Sequence, residues 1–137
     1  MWAVTGWGTI RSMSTSKVMQ RLLERAEGDG AVLAVMLFGS RARGDASRAS
    51  DVDVCLVLDP RAAADPSERL LAYADLDLDL SVFQMLPLAI RSRVLKEGKV
   101  LLGKDEDALY ELAIRTAKQW EDFKPQHRRY LEAVLGD

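Results

Sequence analysis

Two segments in which apolar and polar residues alternate limit what this chain can fold into. In residues 51–58, DVDVCLVL, aliphatic side chains take every second position, and residues 75–82, DLDLDLSV, repeat the pattern. A period of two is typical of a β-strand that packs one face on a core. Residues 31–38, AVLAVMLF, form a short continuous apolar run that predicts a third, buried strand. The core is therefore expected to be organised around a small sheet.

Four helices are predicted from segments in which apolar residues recur with a helical period. They cover residues 16–27, begin at Pro66, extend from Pro87 to Lys96, and follow Asp105 as an N-cap. A small edge strand is expected at Val100–Leu102. This order predicts an α/β or α+β fold, in which a small mixed sheet has helices packed on one face and further helices at the C-terminal end.

The last helix carries two expectations of its own. Trp120 and Phe123 continue the helical spacing of the apolar residues after Asp105, so they are expected in the core. Pro125 interrupts the pattern, because proline lacks a backbone N–H and clashes with the preceding turn. A separate short helix is therefore expected over residues 126–135.

The size and composition of the chain restrict the kind of site that it can hold. With 137 residues, 48% hydrophobic and 29% charged, it has the balance of one globular domain, expected over residues 16–137 after a flexible extension over residues 1–15. A net charge of −2 does not favour nucleic-acid binding, and no apolar run is long enough to span a membrane. One cysteine and one histidine exclude a disulfide framework and a multi-Cys or multi-His metal site, and they fit a reducing, cytoplasmic location.

Residues 39–53, GSRARGDASRASDVD, combine residue types that suit phosphate chemistry. Gly39 and Ser40 follow the buried strand, and a glycine before a serine lets backbone and hydroxyl groups approach a phosphate closely. Asp51 and Asp53 lie two apart on a predicted strand, so their carboxylates share a face and repel each other unless a cation such as Mg²⁺ joins them. The segment indicates metal-assisted phosphoryl or nucleotidyl transfer from a nucleoside triphosphate. The alternative is a pair of solvent-facing residues on an amphipathic strand.

The same segment, extended to GSRARGDASRASDVDV, resembles the signature of the polymerase-β-like nucleotidyltransferases, in which Gly-Ser and Asp-x-Asp are about ten residues apart. Residues 76–108 are similar to the third acidic strand, Pro-started helix and Glu-Gly turn of the minimal nucleotidyltransferase branch. The resemblance covers residues 16–135 and implies the polymerase-β-like fold. Aligned through Pro87 and Gly98, the third carboxylate of the family falls on Asp79, and Asp77 is the alternative.

The resemblance implies a role for each matching residue. Asp51, Asp53 and Asp79 would be the catalytic carboxylates and would hold two Mg²⁺ ions, with Asp79 also able to take the proton of an acceptor hydroxyl. Attack at the α-phosphorus of ATP would release pyrophosphate. The implied nucleotide-binding residues are Gly39, Ser40, Arg41, Arg43 and Ser50.

In its small size and in the spacing of Gly39-Ser40 and Asp51-x-Asp53, the chain resembles the antitoxins of type VII toxin–antitoxin systems, which transfer AMP from ATP to a tyrosine of a HEPN-domain ribonuclease toxin. The resemblance implies a protein adenylyltransferase whose partner is a cognate HEPN toxin, without direct binding to nucleic acid or membranes. Two alternatives remain. One is nucleotidyl transfer to a small molecule of the aminoglycoside type, and the other is an antitoxin that masks its toxin without catalysis.

Overall fold

A computed structural model of the protein describes residues 17–38 and 53–136, and the expected extension over residues 1–15 lies outside them. Eight helices and strands follow one another in this part of the chain. They are α1 (Lys17–Glu27), β1 (Val32–Phe38), β2 (Asp53–Leu58), α2 (Pro66–Ala72), β3 (Asp79–Val82), α3 (Leu88–Glu97), β4 (Lys99–Gly103) and α4 (Glu106–Leu131). A π-helical turn, Glu132–Gly136, follows α4.

The four described strands form one mixed sheet in the order β3-β2-β1-β4. The central strand β1 runs antiparallel to both of its neighbours, while β2 and β3 are parallel. The strand at the end of the order, β4, confirms the predicted edge strand and extends it by one residue at each end. The mixed α+β architecture predicted from the sequence is therefore confirmed.

The predicted helix starts at Pro66 and after Asp105 are both confirmed, and each helix has an aspartate cap. The Asp65 side chain accepts a hydrogen bond from the backbone N–H of Ser67, and Pro66 occupies the first turn of α2. The Asp105 carboxylate accepts from the backbone N–H of Ala108 at 3.1 Å and caps α4. These side chains satisfy amide groups that have no partner within their own helix, which is why local sequence predicts such boundaries well.

The predicted placement of the helices on one face of the sheet needs correction. Along β2, Val54 and Leu56 belong to an apolar cluster that includes the buried face of α1. The residue between them, Cys55, belongs to a second cluster, which α3 and α4 complete. Because successive residues of a strand point to opposite faces, helices cover both faces of the sheet. The prediction was wrong because the face of β2 opposite Val54 and Leu56 is buried as well, through Cys55 and Val57.

The predicted strand over residues 75–82 is also longer than the real one. Regular pairing begins at Asp79, and the preceding segment is a turn in which Leu76 N–H donates to Tyr73 C=O at 3.1 Å and Leu78 N–H donates to Leu76 C=O at 2.9 Å. The alternation of Asp and Leu there has a different origin, because Leu76 is buried in the α1-side cluster without being part of the sheet.

The third correction concerns α4, which continues through Pro125 as one helix of 26 residues. Its buried residues, Leu109, Leu112 and Thr116, all lie in its first half. Phe123 is 37% exposed, and the rings of Trp120, Phe123 and His127 contact one another at centroid distances of 5.4 to 5.9 Å. Helical spacing identifies an apolar stripe but does not show whether a surface covers it, so the expectation of a core position was wrong.

Across residues 17–38 and 53–136, no helix combines the length and the apolar character that crossing a bilayer requires.

The end of α3 packs so closely on β1 that we expect a side chain at Gly98 to be costly. A Cβ atom there would lie 2.5 Å from the Val94 carbonyl oxygen and 3.2 Å from that of Leu37. Gly98→Ala should lower the free energy of unfolding by about 1–3 kcal/mol, measured by urea titration. Gly30→Ala is the matched control, because a Cβ at Gly30 meets no atom within 4 Å. Equal stability of the two variants would contradict this packing.

Candidate active site

Two of the predicted catalytic aspartates are the first residues of neighbouring strands and lie at the same end of the sheet. Asp53 is the first residue of β2 and Asp79 the first residue of β3. They are direct partners in the parallel register, so their side chains project from the same face. On the other side of Asp53, its register partner is Phe38, the last residue of β1. In the sequence, Phe38 is followed directly by Gly39 and Ser40.

Cys55 and Ser81 are the next residues along β2 and β3 on the same face as Asp53 and Asp79. Cys55 pairs with Ser81 in the same register, and the Ser81 hydroxyl donates to the Val54 carbonyl oxygen at 3.4 Å. Burial raises the pKa of the Cys55 thiol to about 12, although a hydrogen bond with Ser81 works in the opposite direction. The thiol is therefore neutral near pH 7 and unsuited to nucleophilic attack. Cys55 is a free cysteine that is fully buried in the sheet and packs as a small apolar residue.

The far end of the β2–β3 pair is held by Gln84, in the 3₁₀ turn that follows β3. Its side-chain amide accepts a hydrogen bond from Leu58 N–H and donates one to Leu58 C=O, each at 3.1 Å. This two-point contact joins the last residue of β2 to the segment after β3. It opposes sliding of the two strands, and a one-residue slip would move Asp79 to the other face.

The near end of β3 is preceded by a turn that is held from α1. The Arg25 guanidinium donates to both carboxylate oxygens of Asp75, at 2.8 and 3.0 Å. This hydrogen-bonded pairing lowers the pKa of Asp75 to about 2. Asp75 therefore pairs with Arg25 of α1. Asp77 is exposed and lies before the first paired residue of β3.

A second contact ties the same turn to the loop after α1. The Asp29 carboxylate accepts hydrogen bonds from the Tyr73 hydroxyl at 2.9 Å and from the Arg69 guanidinium at 2.8 Å. It also accepts one from the backbone N–H of Ala31 at 3.0 Å. Partial burial opposes ionisation of Asp29, but these donors more than offset it, so the pKa of Asp29 lies below its usual value.

This lowered pKa makes the stability of the turn depend on pH. In the unfolded chain an aspartate has a pKa of about 3.9. The ionised Asp29 therefore stabilises the fold above that pH, and this stabilisation is lost as the pH falls through the lower pKa of the folded state. We expect the free energy of unfolding to fall more steeply between about pH 5 and pH 3 in the wild type than in Asp29→Asn, with Tyr73→Phe intermediate. Urea titrations at a series of pH values measure this, and parallel curves for the three proteins would contradict it.

Several predicted site residues lie outside the described part of the chain. They are Gly39, Ser40, Arg41, Arg43, Ser50 and Asp51. Among residues 17–38 and 53–136, no group of three or more His, Cys, Asp and Glu side chains is close enough to hold a metal ion. The described carboxylates nevertheless fit a hard divalent cation, because Asp53 and Asp79 present oxygen ligands side by side from paired strands.

Comparison with known proteins assigns the chain to a family. A family model described as polymerase beta, nucleotidyltransferase, matches residues 20–107. The chain is 32% identical over 97 residues to a candidate protein adenylyltransferase of Methanocaldococcus jannaschii. This alignment covers 71% of this chain and 76% of that protein. It is 25% identical over 108 residues to protein adenylyltransferase MntA of Shewanella oneidensis. This alignment covers 75% of this chain and 76% of that protein.

Solved structures show the same fold. A chain of a toxin–antitoxin crystal structure with AMP-PNP matches at a TM-score of 0.64 and 19% identity, covering 88% of this chain and 99% of that chain. A chain from the complex of a tri-AMPylated Shewanella oneidensis HEPN toxin with its MNT antitoxin matches at 0.58 and 20% identity, covering 85% and 92%.

The chain belongs to the polymerase-β-like nucleotidyltransferase family, which confirms the predicted family and fold. It is a nucleotidyltransferase, and membership of this family implies a nucleotide substrate and, in general, a divalent metal ion.

Proposed function

We propose that the protein transfers AMP from ATP to a tyrosine hydroxyl of a cognate HEPN ribonuclease toxin and so acts as its antitoxin in the cytoplasm. The observation that carries the proposal is the pairing of Asp53 with Asp79, with Asp53 also paired to Phe38, the residue that precedes Gly39 and Ser40 in the sequence. The relatives support this choice of acceptor, because two of them are named as protein adenylyltransferases. Toxin–antitoxin complexes, one of them with an AMPylated HEPN toxin, share its fold.

In this proposal the three carboxylates divide the work. Asp51, Asp53 and Asp79 would together hold two Mg²⁺ ions, which lower the pKa of the acceptor hydroxyl and offset the charge of the triphosphate. Asp79 takes the proton of the tyrosine hydroxyl as its oxygen attacks the α-phosphorus. A new oxygen–phosphorus bond forms, the bond to the β-phosphate breaks, and pyrophosphate leaves.

The remaining predicted residues bind the nucleotide. Gly39 and Ser40 bind the triphosphate through backbone and hydroxyl groups. Arg43 offsets its negative charge, and Arg41 and Ser50 contribute further contacts. These residues lie between β1 and Asp51 in the sequence, and in this proposal they would bind the phosphates, while Asp79 would receive the proton of the acceptor.

The proposal is tested by mixing the purified protein with Mg-ATP and the HEPN toxin encoded beside it, then measuring the intact mass of the toxin. We expect increments of one or more AMP groups in the toxin and loss of its ribonuclease activity. Asp51→Asn combined with Asp53→Asn should prevent both. An unchanged toxin mass, or increments that persist with the double variant, would contradict the proposal.

Two other outcomes identify the alternatives. Neutralisation of the toxin by the double variant at the same stoichiometry, without a mass change, would indicate masking by binding. Consumption of ATP with an aminoglycoside panel in the absence of toxin would indicate a small-molecule acceptor.

A further inference from the structure

The hydrogen bonds between β2 and β3 restrain the position of Asp79 only weakly. Strand β3 has four residues, Asp79 is its first, and within the described sheet β3 pairs only with β2. The end of a short edge strand frays easily, because few hydrogen bonds restrain it. Gln84 holds the opposite end of the strand, so the position of Asp79 depends on the turn before it.

Arg25 is the residue of α1 that holds this turn. In addition to its two hydrogen bonds to Asp75, its guanidinium donates to the Ala72 carbonyl oxygen at 3.1 Å. The guanidinium carbon also lies 5.4 Å from the centroid of the Tyr73 ring, within cation–π distance. One side chain therefore contacts the last residue of α2 and two residues of the turn, and the later of these two, Asp75, lies four positions before Asp79.

Arg25 holds the turn from the side of the sheet opposite the carboxylates. Its helix packs Leu22 and Leu23 into the cluster that contains Val54, whereas Asp53 and Asp79 lie on the Cys55 face. The guanidinium is engaged by the turn and does not share a face with the reacting groups. Any effect of Arg25 on catalysis must therefore pass through the backbone that leads to Asp79.

We propose that Arg25, acting through Asp75, is a positioning residue for Asp79 in the nucleotidyl transfer reaction. This inference rests on the proposed function, since it takes Asp79 as a catalytic carboxylate. The side chains of Arg25 and Asp75 are 38% and 64% exposed. An ion pair of such exposure contributes little to global stability. The pair should therefore influence catalysis more than unfolding, which separates positioning from a merely structural role.

The first test compares two arginines that make similar ion pairs at opposite ends of the sheet. Arg25→Ala should lower kcat for toxin AMPylation about tenfold, which corresponds to a change of about 1.4 kcal/mol in activation free energy, and leave KM for ATP within about twofold. Arg61→Ala is the matched control, because Arg61 forms a two-point pair with Asp59 near the far end of β2. It should retain the wild-type kcat, and both variants should have similar melting temperatures.

A double-mutant cycle tests whether Arg25 acts through Asp75. Asp75→Asn should reproduce most of the fall in kcat, and the double variant Arg25→Ala with Asp75→Asn should be no slower than Arg25→Ala alone. Independent, multiplying effects would overturn the assignment, as would a kcat of Arg25→Ala equal to that of Arg61→Ala.

Hydrogen–deuterium exchange of the nucleotide-free protein gives a readout that does not depend on activity. The backbone amides of residues 75–80 should exchange several-fold faster in Arg25→Ala than in the wild type and remain unchanged in Arg61→Ala. If the wild type fails to AMPylate the toxin, the proposed function fails, but exchange still tests the contact. Unchanged exchange in Arg25→Ala would overturn the positioning role whatever the activity.

Discussion

Asp79→Asn should reduce AMP transfer by about 10³-fold or more, while Asp77→Asn should leave it within about twofold. Both residues are aspartates of the same DLDLDL segment, and they lie two positions apart. Only Asp79 is paired with Asp53 in the sheet, whereas Asp77 lies in the turn before the first paired residue. The substitution to Asn keeps the shape of the side chain and removes its charge and its basicity.

Comparing the two variants shows whether activity depends on the carboxylate at position 79 in particular or on the negative charge of the segment in general. Initial rates of toxin AMPylation at saturating Mg-ATP measure the effect, and melting temperatures of both variants show whether the fold is kept. If Asp77→Asn is the inactive variant, the catalytic strand has a register different from the one described. If both variants retain activity, the third carboxylate lies elsewhere.

The second large effect concerns nucleotide binding. At 100 times its dissociation constant, Mg-ATP should raise the free energy of unfolding of the wild type by about 2.7 kcal/mol, and Asp51→Asn combined with Asp53→Asn should lose this gain. Without nucleotide the double variant should keep about the stability of the wild type, because the substitution of Asp by Asn preserves the shape of each side chain. Thermal melts with and without Mg-ATP and EDTA measure both quantities.

An apoprotein of the double variant that is much less stable than the wild type would mean that these aspartates have a structural role. Full stabilisation of the double variant by Mg-ATP would place the nucleotide at another site. The combination of unchanged stability and lost ligand response is therefore the signature expected for a binding pair.

The parts of the fold that sequence predicted well depend on neighbours in the chain. The apolar run ending at Phe38 is a strand, a helix starts at Pro66, and Asp105 caps the last helix, because these patterns and partners lie within a few residues. The turn before Asp79 could not be predicted in this way. It is shaped by Arg25, which lies 50 positions before Asp75 in the chain, and such a contact has no sequence pattern of its own.

The candidate site divides along the same line. The spacing of Gly39, Ser40, Asp51 and Asp53 is a local signal, and it led to the family that the comparison confirmed. The choice of Asp79 over Asp77 came from a resemblance in the following helix and turn. Register with Asp53 now supports that choice, but its catalytic role stays a prediction.

The reaction of the buried Cys55 with a thiol reagent can measure how often the sheet opens. It is the one cysteine of the chain, it is fully buried in β2, and burial keeps its thiol protonated. A thiol reagent reaches it only when the middle of the sheet opens. The labelling rate under native conditions therefore measures how often β2 separates from its neighbours. Mg-ATP bound at the proposed site should slow this rate about tenfold for each 1.4 kcal/mol of stability that it adds.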